Sequence, residues 1–214
     1  MLVVLLILAG TLVPVMSDSI NSARLVSAKN DLSQMAVALV NFQRDVGPLV
    51  FDGALLRQTQ TTASSVRPVL VLTSDGEPPL ITDLVPVETV NALLVNPALS
   101  LDGATVEPWV SSPASDMLDL HLRVNGRGYP DTTGGPGTGW NGPYLSMSVT
   151  GDPWGRQYLV NTAFLRGLPP SATLCARCAV FVISAGQNGV LETPFQQPLA
   201  NAQVFGDDLV MRIQ

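Results

Sequence analysis

The first 42 residues constrain this chain more than any other stretch, because Met1 to Phe42 reads as one long helix with two different jobs. Residues 1–16, MLVVLLILAGTLVPVM, carry no charged side chain, so water is a poor solvent for them and a membrane or a bundle of like helices is a good one. From Leu25 a stripe begins: Leu25, Ala28, Leu32, Met35, Leu39 and Phe42, alternately three and four residues apart, with Arg24, Lys29, Asp31 and Gln34 turned elsewhere. The first half wants an apolar environment and the second wants a globular domain on one side. A helix of about 45 residues is roughly 65 to 70 Å long, far more than one compact domain needs. The surplus points to assembly.

Two other readings of the start compete. A removable signal peptide opens with a positive charge, yet no Lys or Arg precedes the apolar run. A single-span anchor needs about 20 apolar residues, and here Ser17, Asp18, Ser19, Asn21 and Ser22 follow directly on Met16. A plain anchor would be short. Inside the run, Pro14 has no N–H for the carbonyl of Gly10 and its ring crowds that carbonyl, which predicts a kink or an unwound turn over Gly10 to Pro14. Such a break persists in apolar surroundings only where neighbouring protein accommodates it.

The 214 residues suffice for one modest globular core after the helix. The net charge of −6 argues against a nucleic-acid surface, which needs a basic patch to release counterions. Only 13% of residues are charged, against 18 glycines and 17 prolines, so the surface is polar and loop-rich, as suits an extracellular or packed-subunit protein. Cys175 and Cys178 are half a zinc site at most, and His121, the only histidine, cannot complete it. Ala179 stands where a c-type haem site needs His. In an oxidising compartment the two close a small disulfide loop, a reading favoured over a thioredoxin-like redox pair because no βαβ pattern surrounds them.

Gly47 and Pro48 stop the helix. Beyond them, residues 67–72 read as a strand, 74–79 as a turn and 87–94 as a short helix or strand, while prolines at 68, 78, 79, 86, 97 and 108 exclude long elements. Ser112 as N-cap and Pro113 at the first helical position open a mostly apolar helix that Asn125-Gly126 ends, with His121 as a structural residue upon it. Residues 126–139 form an irregular loop. Asp152-Pro153-Trp154-Gly155 has the residue order of a type I turn and feeds a strand at 157–160. A strand at 179–184 meets Asn188-Gly189, a hairpin signal that can take two positive φ values, and 209–213 supplies a last strand.

The apolar start with Gly10 and Pro14, WNGPYL at 140–145, DPWGRQY at 152–158, FVISAGQNG at 181–189 and GDD at 206–208 together resemble the major pseudopilin family of type II secretion systems, within the type IV pilin-like superfamily. The resemblance covers residues 1–47 and 140–214; segment 48–139 is longer than family members carry and looks like an insertion that dresses a filament surface. It implies an α+β, ladle-shaped subunit: an assembly helix over 1–47, then a globular pilin-like domain over 48–214 in which the helix packs on a small antiparallel sheet. It also implies no enzymatic activity. The helix, through residues such as Leu2, Leu5, Leu6, Gly10, Pro14 and Ile20, would wait in the inner membrane and then pack with copies of itself in a periplasmic or extracellular helical homopolymer. Other pilin-like subunits and the assembly machinery are implied partners. Family members carry a glutamate near the mature N-terminus, whereas Leu5 and its neighbours are apolar and no prepilin leader is visible. Either the first mature residues are missing or this subunit assembles without that glutamate.

The resemblance further implies calcium in the C-terminal loop. Carried onto residues 184–208, the ligands would be Asp207 or Asp208, helped by Asn188, Glu192, Ser184 and backbone oxygens, since Ca²⁺ takes six to eight oxygens. The departures are Asn188, where the family tends to have Asp, and a longer, less acidic stretch at 192–205; a merely solvated acidic turn is the other reading. General acid–base work needs titratable groups brought together, and one His, one Lys and 17 scattered carboxylates offer no nucleophile elbow, phosphate-binding glycine loop or metal-ligand cluster. The serious alternative is therefore an anchored binding module that never polymerises. It differs from the filament subunit in whether copies cover the stripe and the apolar start.

Overall fold

The computed structural model describes residues 2–47, 51, 69–82, 85–86, 105–106, 109, 115–130, 139–166 and 177–213, with residues 2–15, 85–86 and 105–106 as backbone. Helix α1, Leu2–Val46, runs 45 residues, about 67 Å at 1.5 Å each. It continues as regular helix through Gly10 and Pro14, which corrects the expected unwinding there. One proline removes a single rung of the hydrogen-bond ladder, and the helix continues on both sides of it, from Leu2 and on to Val46. The stripe does its expected work from Ala28 onward: Ala28, Leu32, Met35, Leu39 and Phe42 are buried, whereas Leu25 remains 38% exposed. Gly47 ends the helix at φ +103°, its N–H bonded to the carbonyl of Gln43 at 2.9 Å, a conformation that glycine adopts without a Cβ penalty.

The class is α+β. A five-stranded sheet runs in the order β5-β1-β6-β7-β9, built from β1 (Val71–Thr73), β5 (Ser115–Met117), β6 (Leu159–Val160), β7 (Phe181–Ser184) and β9 (Leu209–Arg212). The sheet is mixed where a purely antiparallel one was expected, because β5 pairs parallel with β1, Leu72 opposite Asp116. The long segment between them makes that parallel return possible. The remaining pairs are antiparallel, with Val160 opposite Val182 and Ile183 opposite Val210. Two short ribbons lie apart: β2 (Leu80–Ile81) with β8 (Val190–Leu191), and β3 (Val85–Pro86) with β4 (Thr105–Val106).

Helix α1 lies against β7 and β9, and β7 is buried along its whole length. Leu32, Met35, Leu39 and Phe42 meet Val180, Phe181, Val182 and Ile183 in a single core cluster. Each fully buried side chain of this size contributes about 1.5 to 3 kcal/mol, so the lower half of α1 is held by packing more than by helix propensity.

Several local expectations change. The helix expected from Pro113 is α2, Leu118–Leu122, preceded by strand β5 and the extended Met117; Ser112 and Pro113 lie outside the described residues. Its end is as expected, with Asn125 at φ +47° and the Gly126 N–H reaching the Leu120 carbonyl at 2.8 Å. The hairpin expected at Asn188-Gly189 does not form: of the two, only Gly189 has positive φ, and β8 leaves the main sheet to pair parallel with β2. The 152–155 turn is closed by Gly155 N–H to the Asp152 carbonyl at 2.8 Å. The segments 67–68, 87–94 and 131–138 lie outside the described residues.

Candidate functional site

Residues 185–208 leave β7 and return to β9, and the acidic turn Asp207-Asp208 closes that excursion. Two glycines allow the close approach. A Cβ at Gly186 (φ +64°) would stand 2.2 Å from the Asp207 carbonyl, and one at Gly206 (φ +60°) would overlap the Glu192 carboxylate. With the backbones this near, each aspartate binds the opposite arm. Asp207 Oδ2 accepts the Asn188 N–H at 2.9 Å, and Asp208 Oδ2 accepts those of Glu192 at 3.0 Å and Thr193 at 2.7 Å. The other oxygen of each, Oδ1, is buried and accepts nothing. Burial pushes the Asp208 pKa upward, against the pull of the N–H groups it accepts.

The other expected ligands fare differently. Asn188 Oδ1 accepts the Val190 N–H at 2.6 Å and its Nδ2 donates to Glu192 Oε2 at 3.3 Å, while its own N–H reaches Asp207, so both residues lie beside the turn. The Ser184 hydroxyl is engaged away from the aspartate pair: it donates to Asp152 Oδ2 at 2.6 Å and accepts the Gly186 N–H. Among the described residues no group of three or more His, Cys, Asp or Glu side chains could by itself hold a metal. A cation at either Oδ1 would therefore need main-chain carbonyls and water to complete its shell, an all-oxygen set that suits a hard ion such as Ca²⁺ better than a transition metal.

Sequence reasoning missed two residues that set this geometry. Asp152, buried, holds Ser184 with one carboxylate oxygen and the N–H groups of Trp154 and Arg156 with the other, so the type I turn and the acidic loop share one anchor. Thr193, fully buried, binds the Phe205 N–H through its hydroxyl and the Trp109 indole through its carbonyl. Asp152 at the first position of the turn was the available signal; nothing near Thr193 in sequence announces it.

The assembly residues Leu2, Leu5, Leu6, Gly10 and Pro14 lie in regular helix, described as backbone. Ile20 is 50% exposed, Met16 59% and Val26 60%. Among the described residues no helix is long and apolar enough to cross a membrane. Cys178 is buried and is no free thiol; Cys175 lies outside the described residues.

His121 is structural, as its apolar helix implied, and fully engaged. Its Nε2 meets Asp116 Oδ2 at 2.9 Å and its Nδ1 meets the Tyr129 hydroxyl at 2.6 Å, while Arg127 grips the same Asp116 through Nε and Nη2. No family model, curated protein or solved structure matches the chain.

Proposed function

We propose that this chain is a structural subunit of a type IV pilus-like or type II secretion pseudopilus filament, polymerising through α1. The observation that carries the reading is the division of α1. Its own domain covers the stripe only from Ala28 onward, so the helix extends some 26 residues further, about 39 Å, with Met16, Ile20 and Val26 exposed on its way. Sixteen uncharged residues at the tip favour burial by well over ~10 kcal/mol at about 25 cal/mol per Å², and one small domain cannot provide it. Copies of the same helix can. Before assembly the inner membrane takes that place, with other pilin-like subunits and the assembly machinery as partners, and the filament is periplasmic or extracellular.

In this reading the role is mechanical and not catalytic, and two staples serve it. Asp207 and Asp208 hold Ca²⁺ through their Oδ1 atoms, with Asn188 and Glu192 alongside, fastening the 185–208 loop to β9 and thereby to the face on which α1 lies. The support is that each aspartate keeps one buried carboxylate oxygen without a hydrogen-bond donor, and that Glu192 adds negative charge beside Asp208, which a cation would offset. The second staple is a Cys175–Cys178 disulfide, whose small loop constrains the chain only locally.

The test is negative-stain microscopy of the native preparation beside Ile20→Asp and Val26→Asp. The expected result is filaments for the native chain and none for the variants, with unchanged thermal unfolding of the globular domain. Single particles throughout, each anchored alone, would favour the membrane-anchored binding module instead.

A further inference from the structure

The lower end of α1 is seated in an aromatic clamp. Phe42 meets Tyr129 at 5.3 Å, Tyr144 at 5.6 Å, Phe51 at 5.8 Å and His121 at 6.2 Å between ring centroids. His121 is the one ring of this cluster with two polar nitrogens, and it is completely buried. Its two nitrogens face opposite demands. Asp116 is an ionised acceptor held by Arg127, so Nε2 carries the hydrogen. Nδ1 must then accept the hydrogen of Tyr129, whose phenol is kept protonated by burial. One tautomer of the neutral ring satisfies both neighbours.

We propose that His121 is an acid-release latch on the C-terminal end of α1: neutral, it fastens Tyr129 and Asp116 around Phe42, and protonated at Nδ1 it lets the clamp open. One proton enters from solvent. The Tyr129 hydroxyl then faces an N–H instead of a lone pair and must turn away, and the cluster gains a buried charge that Asp116, already paired with Arg127, offsets only in part. The other charged groups around it are committed elsewhere. Asp45 of α1 binds Tyr144 and Arg44, and Asp119 of α2 binds Arg123 and Ser148. Burial lowers the His121 pKa below its ordinary 6.5, and Asp116 only partly offsets it. The latch therefore holds at neutral pH and releases on acidification. It needs only the intact fold and stands whether or not the chain polymerises.

Because His121 is the only histidine, labelling histidine gives the full-length protein a single imidazole resonance to titrate. The wild-type midpoint is expected below 6.5, with amide exchange in residues 125–130 accelerating through that same midpoint while β7 stays protected. Tyr129→Phe removes the donor that favours neutral Nδ1 and raises proton affinity by about threefold to tenfold, the scale of one hydrogen bond. Asp116→Asn removes the anion and shifts the midpoint downward; should that variant not fold, the wild type and Tyr129→Phe decide. A wild-type midpoint at or above 6.5, Tyr129→Phe leaving it unmoved or lower, or global unfolding before the ring titrates would overturn the latch.

Discussion

Tyr158 donates its phenolic hydrogen to Asp31 Oδ2 at 2.9 Å, across 127 residues of sequence. The bond joins the segment after the 152–155 turn to α1 just where the helix enters its domain, between buried Ala28 and Leu32. Burial, together with the neighbouring Asp31 carboxylate, pushes the Tyr158 pKa far up, so the phenol remains a donor at every ordinary pH. Tyr158→Phe is expected to lower stability by about 1 kcal/mol, below the roughly 1.5 to 3 kcal/mol of a bond to a charged group, because the half-buried Asp31 regains water when the donor goes. A urea midpoint unchanged at constant slope would show that the bond contributes nothing.

The two halves of α1 should respond oppositely to truncation. Leu39→Ala, in the covered half, should cost about 2 to 5 kcal/mol and lower the melting temperature of the single subunit. Val26→Ser should leave that melting within about 0.5 kcal/mol and weaken only the association of copies, read by sedimentation. Equal effects on both properties from both variants would contradict the division of the helix.

Asp116 sets an acid limb to stability. Burial would raise its pKa, but hydrogen bonds from His121 and Arg127 outweigh this and hold it at about 2, against 3.8 for the ordinary group. A depressed carboxyl pKa contributes stability that is complete above 3.8 and is lost as pH falls toward 2. Arg127→Met should raise the folded-state pKa and flatten that loss in acid-unfolding curves. An unchanged slope would remove Asp116 from the account.

Asp208 carries the opposite sign. Its folded-state pKa is raised by burial, so its contribution is most favourable below 3.8 and declines as pH rises through the folded value. Without a cation, the ionised Asp208 strains the loop at neutral pH. Calcium should therefore raise the melting temperature of the native chain, by linkage to the folded loop, and Asp208→Asn should abolish that increment while melting no lower than the native chain in chelator. A melting temperature indifferent to calcium in the native chain would mean that the turn is merely solvated.

The legible parts of the sequence were those whose signals are local. The stripe from Ala28 to Phe42, the Gly47 stop, the Asp152 turn and the last strand follow from spacing and from residues with restricted backbones. Pairing was harder, because Ser115–Met117 is too short for a period-2 pattern and its parallel partner lies more than 40 residues away. Asn188-Gly189 carries hairpin chemistry, but Val190 and Leu191 find better partners in Leu80 and Ile81. At the acidic turn, Asp207 and Asp208 were legible as a pair of charges. That each would accept N–H groups from the opposite arm depends on a fold that brings residues 188–193 against 207–208, and the partner of the Ser184 hydroxyl, Asp152, lies 32 residues earlier. Pro14 does not break α1, since the cost of one lost rung does not interrupt a helix of 45 residues.

Whether copies of α1 bury one another is read most directly from a cryo-electron map of the native preparation. The expected map shows a helical homopolymer in which residues 2–24 of each subunit are enclosed by the same segment of its neighbours while residues 28–46 keep to their own domain. A map that places residues 2–24 in lipid or detergent, touching no other copy, would contradict it.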